Sequence, residues 1–184
     1  MFEEIAKKNL KFQRELVEAY DNSIDLNLSP DPPIYRELAK SDLDKILSVV
    51  DQAQASINYD HVQGACLFAH HTLKRALQKH GYNSEIIVGD VLIDDKPYMS
   101  CKLEDLQEQL VVGKVGGYQK VHCWLLLENY FCFDVSLCRD FTNGVYAAEI
   151  WGVGTAGLIG GHNVCYKPIL MGETFIERTN QISH

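Results

Sequence analysis

The chain has 184 residues, 46% hydrophobic and 23% charged, the make-up of an ordinary globule large enough for one substantial core. Its 25 acidic residues against 17 Lys and Arg leave a net charge of −8, so it lacks the basic excess that a nucleic-acid partner requires. No apolar segment opens the chain as a signal peptide would, and none elsewhere is long enough to span a bilayer, so the expectation is a cytoplasmic single domain, 1–184, with no membrane partner.

Residues 2 to about 20 place Phe2, Ile5, Phe12, Leu16, Val17 and Tyr20 at roughly helical spacing among Glu and Lys, which predicts an amphipathic helix packed on the domain. Consecutive prolines at Pro32 and Pro33 make Asn22 to Pro33 a loop. A second helix is predicted from Ser41, as cap with Asp44, through Leu43, Ile46, Leu47 and Val50 to Ala53. Residues 1–58 thus form a helical part and 59–184 a mixed core.

From Gly64, the positions Cys66, Ala69, Leu73, Ala76 and Leu77 share one helical face, and Lys79, His80 and Gly81 supply a cationic last turn and a glycine stop. Strand patterns follow at Ser84–Ile93, Lys120–Leu127, Tyr130–Leu137 and Val164–Met171. Helices followed by strands with few helical signals between them predict an α+β fold, with the Cys66 helix packed on an antiparallel sheet. Asp94-Asp95-Lys96 and Glu104 to Glu108 read as solvated loop and helix surface.

Six cysteines, at 66, 101, 123, 132, 138 and 165, are expected to be mostly free thiols, because the chain carries no export signal. None forms a CxxC, and Cys132 and Cys138, separated by five residues, have no neighbouring His pair, so neither metal nor any other cofactor is expected.

Cys66 falls in the first turn of its predicted helix, where the helix N-terminus favours a thiolate. Backbone N–H groups there, with the Gln63 side chain, are candidate oxyanion donors. Downstream, His122-Cys-Trp-Leu-Leu-Leu and Tyr130-Phe-Cys-Phe-Asp134 read as two strands joined by a hairpin at Glu128-Asn129. A three-residue loop over 128–130, with one residue in the left-handed conformation, would pair Leu127 with Phe131 and put His122 and Asp134 on one face. A two-residue loop would put them on opposite faces. On one face, Asp134 can orient His122 and His122 can take the proton of Cys66.

These residues resemble the papain-like fold in its transglutaminase-like branch, which includes the arylamine N-acetyltransferases. Gly64-Ala-Cys66 with the helix through Leu77, and Gly81 to Gly89, look like that family's nucleophile helix and following strand. His122-Cys123-Trp124 is similar to its His-Ala-Trp strand, and Asp134-Val135-Ser136 to the Asp-Val-Gly of the acetyltransferases. The resemblance covers about residues 60 to 137 and implies Cys66 as nucleophile, His122 as base and Asp134 as orienter. Leu67 stands where many members have Trp, and no Pro-Thr follows Asp134. The acetyltransferases are longer and carry an added domain that helps hold acyl-CoA, so acetyl transfer from CoA is disfavoured.

Gly152 to Gly157 matches GxGxxG, but it follows antiparallel strands and leaves too few residues for a dinucleotide-binding half. The run Trp151 to Gly161 reads instead as a flexible loop overhanging the site, with Trp151, like Trp124, as a substrate contact. His162, followed by Asn163, is a rival base, whereas His70, His71 and His80 read as exposed helix histidines. The expected function is a thiol-dependent hydrolase or acyltransferase on a peptide, amide or acyl substrate. The alternative is an inactive binding module that keeps the fold with Cys66 buried and inert.

Overall fold

The computed structural model describes residues 2–54, 66–114, 119–137, 149–151, 157–159 and 161–180, with side chains for 9–53, 66–114, 119–137 and 161–180. It is an α+β fold. Helices α1 (Phe2–Asp25), α2 (Lys40–Gln54), α3 (Cys66–Lys79), α4 (Leu103–Val112) and α5 (Thr174–Thr179) accompany strands β1 (Ser84–Ile93), β2 (Lys96–Pro97), β3 (His122–Leu127), β4 (Cys132–Asp134), β5 (Glu149–Trp151), β6 (Gly157–Ile159) and β7 (His162–Met171). The described strands pair antiparallel in one sheet of order β5-β4-β3-β1-β7-β6, with β2 hairpinned onto β1. None of the described helices is long and apolar enough to cross a membrane.

Alternation along the strands divides the core. Ile86, Val88, Cys123, Leu125, Leu127, Phe133 and Val135 pack with α2 and α3 through Ile46, Val50, Leu67, Leu73 and Leu77. Ile87, Val91, Trp124, Leu126, Cys132 and Tyr166 point the other way, under Phe12 and Leu16 of α1. The central strands are therefore apolar on both faces, and β3 is buried along its whole length. Each Leu or Ile buried this fully contributes about 1.5–3 kcal/mol.

Helix α1 runs past the expected residue 20. Ser23 continues its buried face, donating from Oγ to the Ala19 carbonyl at 2.8 Å and accepting the Met171 N–H of β7 at 2.7 Å. The stop is Asn27 in the left-handed region, with Leu28 N–H returning to the Ser23 carbonyl at 2.9 Å and the Leu28 side chain fully buried. Helix α2 begins at Lys40 rather than at a Ser41 cap, because Asp42 accepts the Ala39 N–H at 3.0 Å. Gly81 ends α3 at φ +81 as expected, with Tyr82 N–H bonded to the Leu77 carbonyl at 3.1 Å.

Gly89 answers to a closer constraint. A β-bulge between Val88 and Gly89 shifts the β1–β7 register, and a Cβ at Gly89 would sit 2.1 Å from the Lys167 carbonyl oxygen. On its other side Gly89 pairs with His122.

Part of the Trp151–Gly161 run is strand rather than loop: Trp151 ends β5, and Gly157–Ile159 forms β6 against β7. Residues 152–156 and 160, with the lid they were expected to form, lie outside the described residues.

Candidate active site

The β3–β4 hairpin has the three-residue loop. Leu127 N–H bonds to the Phe131 carbonyl at 2.9 Å, Tyr130 takes φ +63, and Leu126 and Leu125 pair with Cys132 and Phe133. Continued by one step, this register sets Trp124 level with Asp134 and leaves His122 diagonal to it on the same face. His122 Nε2 and Asp134 Oδ2 are 2.6 Å apart.

Asp134 is fully buried and saturated with donors. Its Oδ2 also accepts Tyr166 O–H at 3.3 Å, and its Oδ1 accepts Ser136 N–H, Ser136 O–H and Leu137 N–H at 3.0, 3.1 and 3.0 Å. A buried anion persists only with such compensation. Burial works to raise the Asp134 pKa, but the His122 charge and hydrogen bond overcome it and hold the group far below the ordinary carboxylate range. For His122, burial works downward. Asp134, by charge and hydrogen bond, and then Cys66 reverse it and raise the imidazole to about 10.

Cys66 is the first residue of α3 and is 6% exposed. It lies close enough to His122 to help raise that ring's pKa, and its Sγ lies 3.9 Å from the Val121 carbonyl oxygen. With Nε2 engaged by Asp134, Nδ1 is the ring nitrogen left for the thiol. Cys66, His122 and Asp134 are therefore brought together in one cluster, with His122 bonded to Asp134. Among the other described thiols, burial pushes Cys101 up to about 12, and burial followed by the nearby Cys66 and Asp134 charges pushes Cys123 well above the ordinary range. The five described cysteines are all free thiols.

The other expected site residues fall differently. Trp124 is fully buried between His122, stacked at 6.0 Å, and Tyr166 at 4.9 Å, so it backs the histidine ring instead of meeting substrate. Its indole Nε1 has no hydrogen-bond partner among the described residues. Tyr98 meets the His122 ring edge-on at 5.9 Å. Gln63 and the Trp151 side chain lie outside the described residues. His162 pairs with exposed Asp94 at 2.7 Å, beyond the Ile93–Val164 end of the sheet, whereas His122 is opposite Gly89 in mid-strand. The rival base is thus not part of this cluster.

The expectation that His70 and His71 are exposed is overturned, since they are 0% and 4% exposed. His71 faces Arg75 and Glu173, and its pKa is lowered by burial and then by Arg75. His70 belongs to the site: Nδ1 is 2.8 Å from the Cys66 carbonyl oxygen, and Nε2 accepts the Val135 N–H at 3.1 Å. The signal was in the spacing, because residue 70 follows Cys66 by four and lies on the same helical face as Leu73 and Leu77.

Family models, characterised proteins and solved structures yield no match to this chain, so the functional reading rests on this geometry.

Proposed function

We propose that the protein is a papain-like, transglutaminase-like thiol enzyme. On this reading it is a hydrolase or acyltransferase that works through a Cys66 thioester on a peptide, amide or acyl substrate. The observation that carries the reading is the 2.6 Å contact of buried His122 with buried Asp134, set beside Cys66. Its order, a cysteine opening a helix and then His and Asp on consecutive antiparallel strands, supports the family resemblance. Free thiols in the described residues accord with work in the reducing cytoplasm.

In the proposed reaction His122, raised to about 10, already holds a proton on both ring nitrogens, and the Cys66 sulfur attacks the acyl carbon as the thiolate of that ion pair. His122 then protonates the departing amine or other leaving group, and a thioester remains on Cys66. A water or amine that gives a proton to the now-neutral His122 attacks that thioester, its C–S bond breaks, and the Cys66 thiolate and His122 imidazolium are restored. Asp134 keeps its charge throughout, holding the ring by Nε2 and stabilising the imidazolium.

The test is the pH dependence of iodoacetamide alkylation, located by peptide mapping, for the native protein and for His122→Ala at a temperature where both are folded. An activated nucleophile reacts well below the pH at which free thiols do, and His122→Ala removes that advantage. The 6% exposure of Cys66 favours the second reading, a binding module with an inert core cysteine. Labelling of Cys66 only on unfolding would establish that reading and end the enzymatic one.

A further inference from the structure

His70 is a fully buried titratable side chain that the proposed chemistry leaves unused. It spans two places that matter to that chemistry. Its Nδ1 lies 2.8 Å from the carbonyl oxygen of Cys66, and its Nε2 lies 3.1 Å from the backbone nitrogen of Val135, the residue after Asp134. A carbonyl oxygen only accepts, so Nδ1 carries a proton. A backbone N–H only donates, so Nε2 presents its lone pair. Both bonds exist together in one form alone, the neutral ring protonated on Nδ1.

The consequence is geometric. Cys66 lies beside His122, and His122 bonds Asp134, but this leaves the spacing between the α3 start and the β4 end to be set by something else. His70 closes the loop: Cys66, His122, Asp134 with Val135, His70, and back to the Cys66 backbone. A side chain that carries both a donor and an acceptor holds both ends at once. Nε2 also lies 3.6 Å from Asp134 Oδ1, too long for a hydrogen bond but near enough that a protonated His70 would help hold Asp134 low; in the neutral form fixed by its two bonds, His70 acts on the backbone.

We propose that His70 is a positioning residue of the Cys66 site, a neutral imidazole clamp that fixes the nucleophile helix against the acid-bearing strand so that His122 engages both. This deepens the enzymatic reading and rests on it for its catalytic consequence, but the clamp itself is tested independently of reactivity. The clamp needs a donor and an acceptor on one side chain. His70→Gln supplies both, and His70→Phe fills the space and supplies neither.

Two measurements on wild type and both variants separate the outcomes: the titration of His122 by imidazole NMR, and the pH profile of Cys66 alkylation. Wild type is expected to show a His70 ring that stays neutral and protonated on Nδ1. In His70→Phe the His122 midpoint falls toward that of a free imidazole, and Cys66 alkylation near pH 6 slows by about tenfold or more, since a displacement near 1 Å between reacting groups costs up to about a hundredfold. His70→Gln stays within about threefold of wild type, because it keeps the donor and acceptor that hold that geometry. An unchanged His122 midpoint in His70→Phe overturns the clamp, even if that variant melts earlier. A shifted midpoint with wild-type Cys66 no faster than a free thiol upholds the clamp and removes the enzymatic reading instead. Should His70→Phe not fold, His70→Asn, too short to span both partners, serves in its place with the same expected shift.

Discussion

Replacing His122 by Ala leaves the Asp134 carboxylate inside the protein without its cation. The ring is 2% exposed, the carboxylate 0%, and their contact is 2.6 Å. Unit charges about 4 Å apart attract by about 4 kcal/mol at an effective dielectric near 20, and removing one partner of a buried pair typically costs about 3–5 kcal/mol. Four donors remain on Asp134, from Tyr166, Ser136 twice and Leu137, which keeps the loss within that range. For a chain of this length about 2–4 °C accompanies each kcal/mol, so His122→Ala is expected to melt roughly 6–20 °C below wild type. The sharper expectation is one of sign. Adding Asp134→Asn to His122→Ala removes the stranded charge and should recover roughly 1–3 kcal/mol in urea denaturation near neutral pH. A double variant no more stable than His122→Ala would refute the argument, because Asp134 would then not be a buried anion balanced by His122.

The same pair shapes the pH dependence. The folded pKa of Asp134 is depressed, so its contribution is present above the ordinary carboxylate value near 4 and is lost as pH falls below it. His122 is raised to about 10, so its contribution is complete below the free imidazole value near 6.5 and disappears as pH rises through about 10. Melting temperatures from pH 3 to 11, taken as wild type minus Asp134→Asn, should form a plateau with losses at both ends; a flat difference would contradict the pair. Gly89→Ala drives a methyl into the Lys167 carbonyl at 2.1 Å and is expected to cost about 1–3 kcal/mol by denaturant titration, with slower Cys66 alkylation because Gly89 pairs with His122. Unchanged stability would show that the bulge relaxes freely. Trp124→Phe removes an indole N–H that bonds to none of the described residues, so the loss should stay near 1–2 kcal/mol and the alkylation profile of Cys66 should hold. A collapse of reactivity in a folded Trp124→Phe would return the indole to the reaction itself.

Much of the fold was legible because its signals are local. The Cys66 helix, its glycine stop and the β1 strand follow from periodicity and end chemistry, and the structure has them at Cys66–Lys79, Gly81 and Ser84–Ile93. Errors came where a partner distant in sequence decides. Helix α1 extends to Asp25 because Ser23 finds β7 and Leu28 finds the core, neither of which a window of 20 residues contains. Trp124 read as a substrate contact from its place in a motif, yet the sheet face it occupies is covered by Phe12 and Leu16 of α1.

For the site, the sequence by itself determined the three residue types, their order and the condition on which they meet: a loop of three residues between β3 and β4. It did not determine that the condition holds, since Asn129 suits both loop lengths and the choice depends on Tyr130 accepting a left-handed backbone while both strands bury their faces. Only the tertiary structure decided the charge states, because a pKa depends on burial and on neighbours brought in from β7 and α3. Only it showed His70 as a bridge, because that role needs the α3 start and the β4 end, 65 residues apart, held across one imidazole ring.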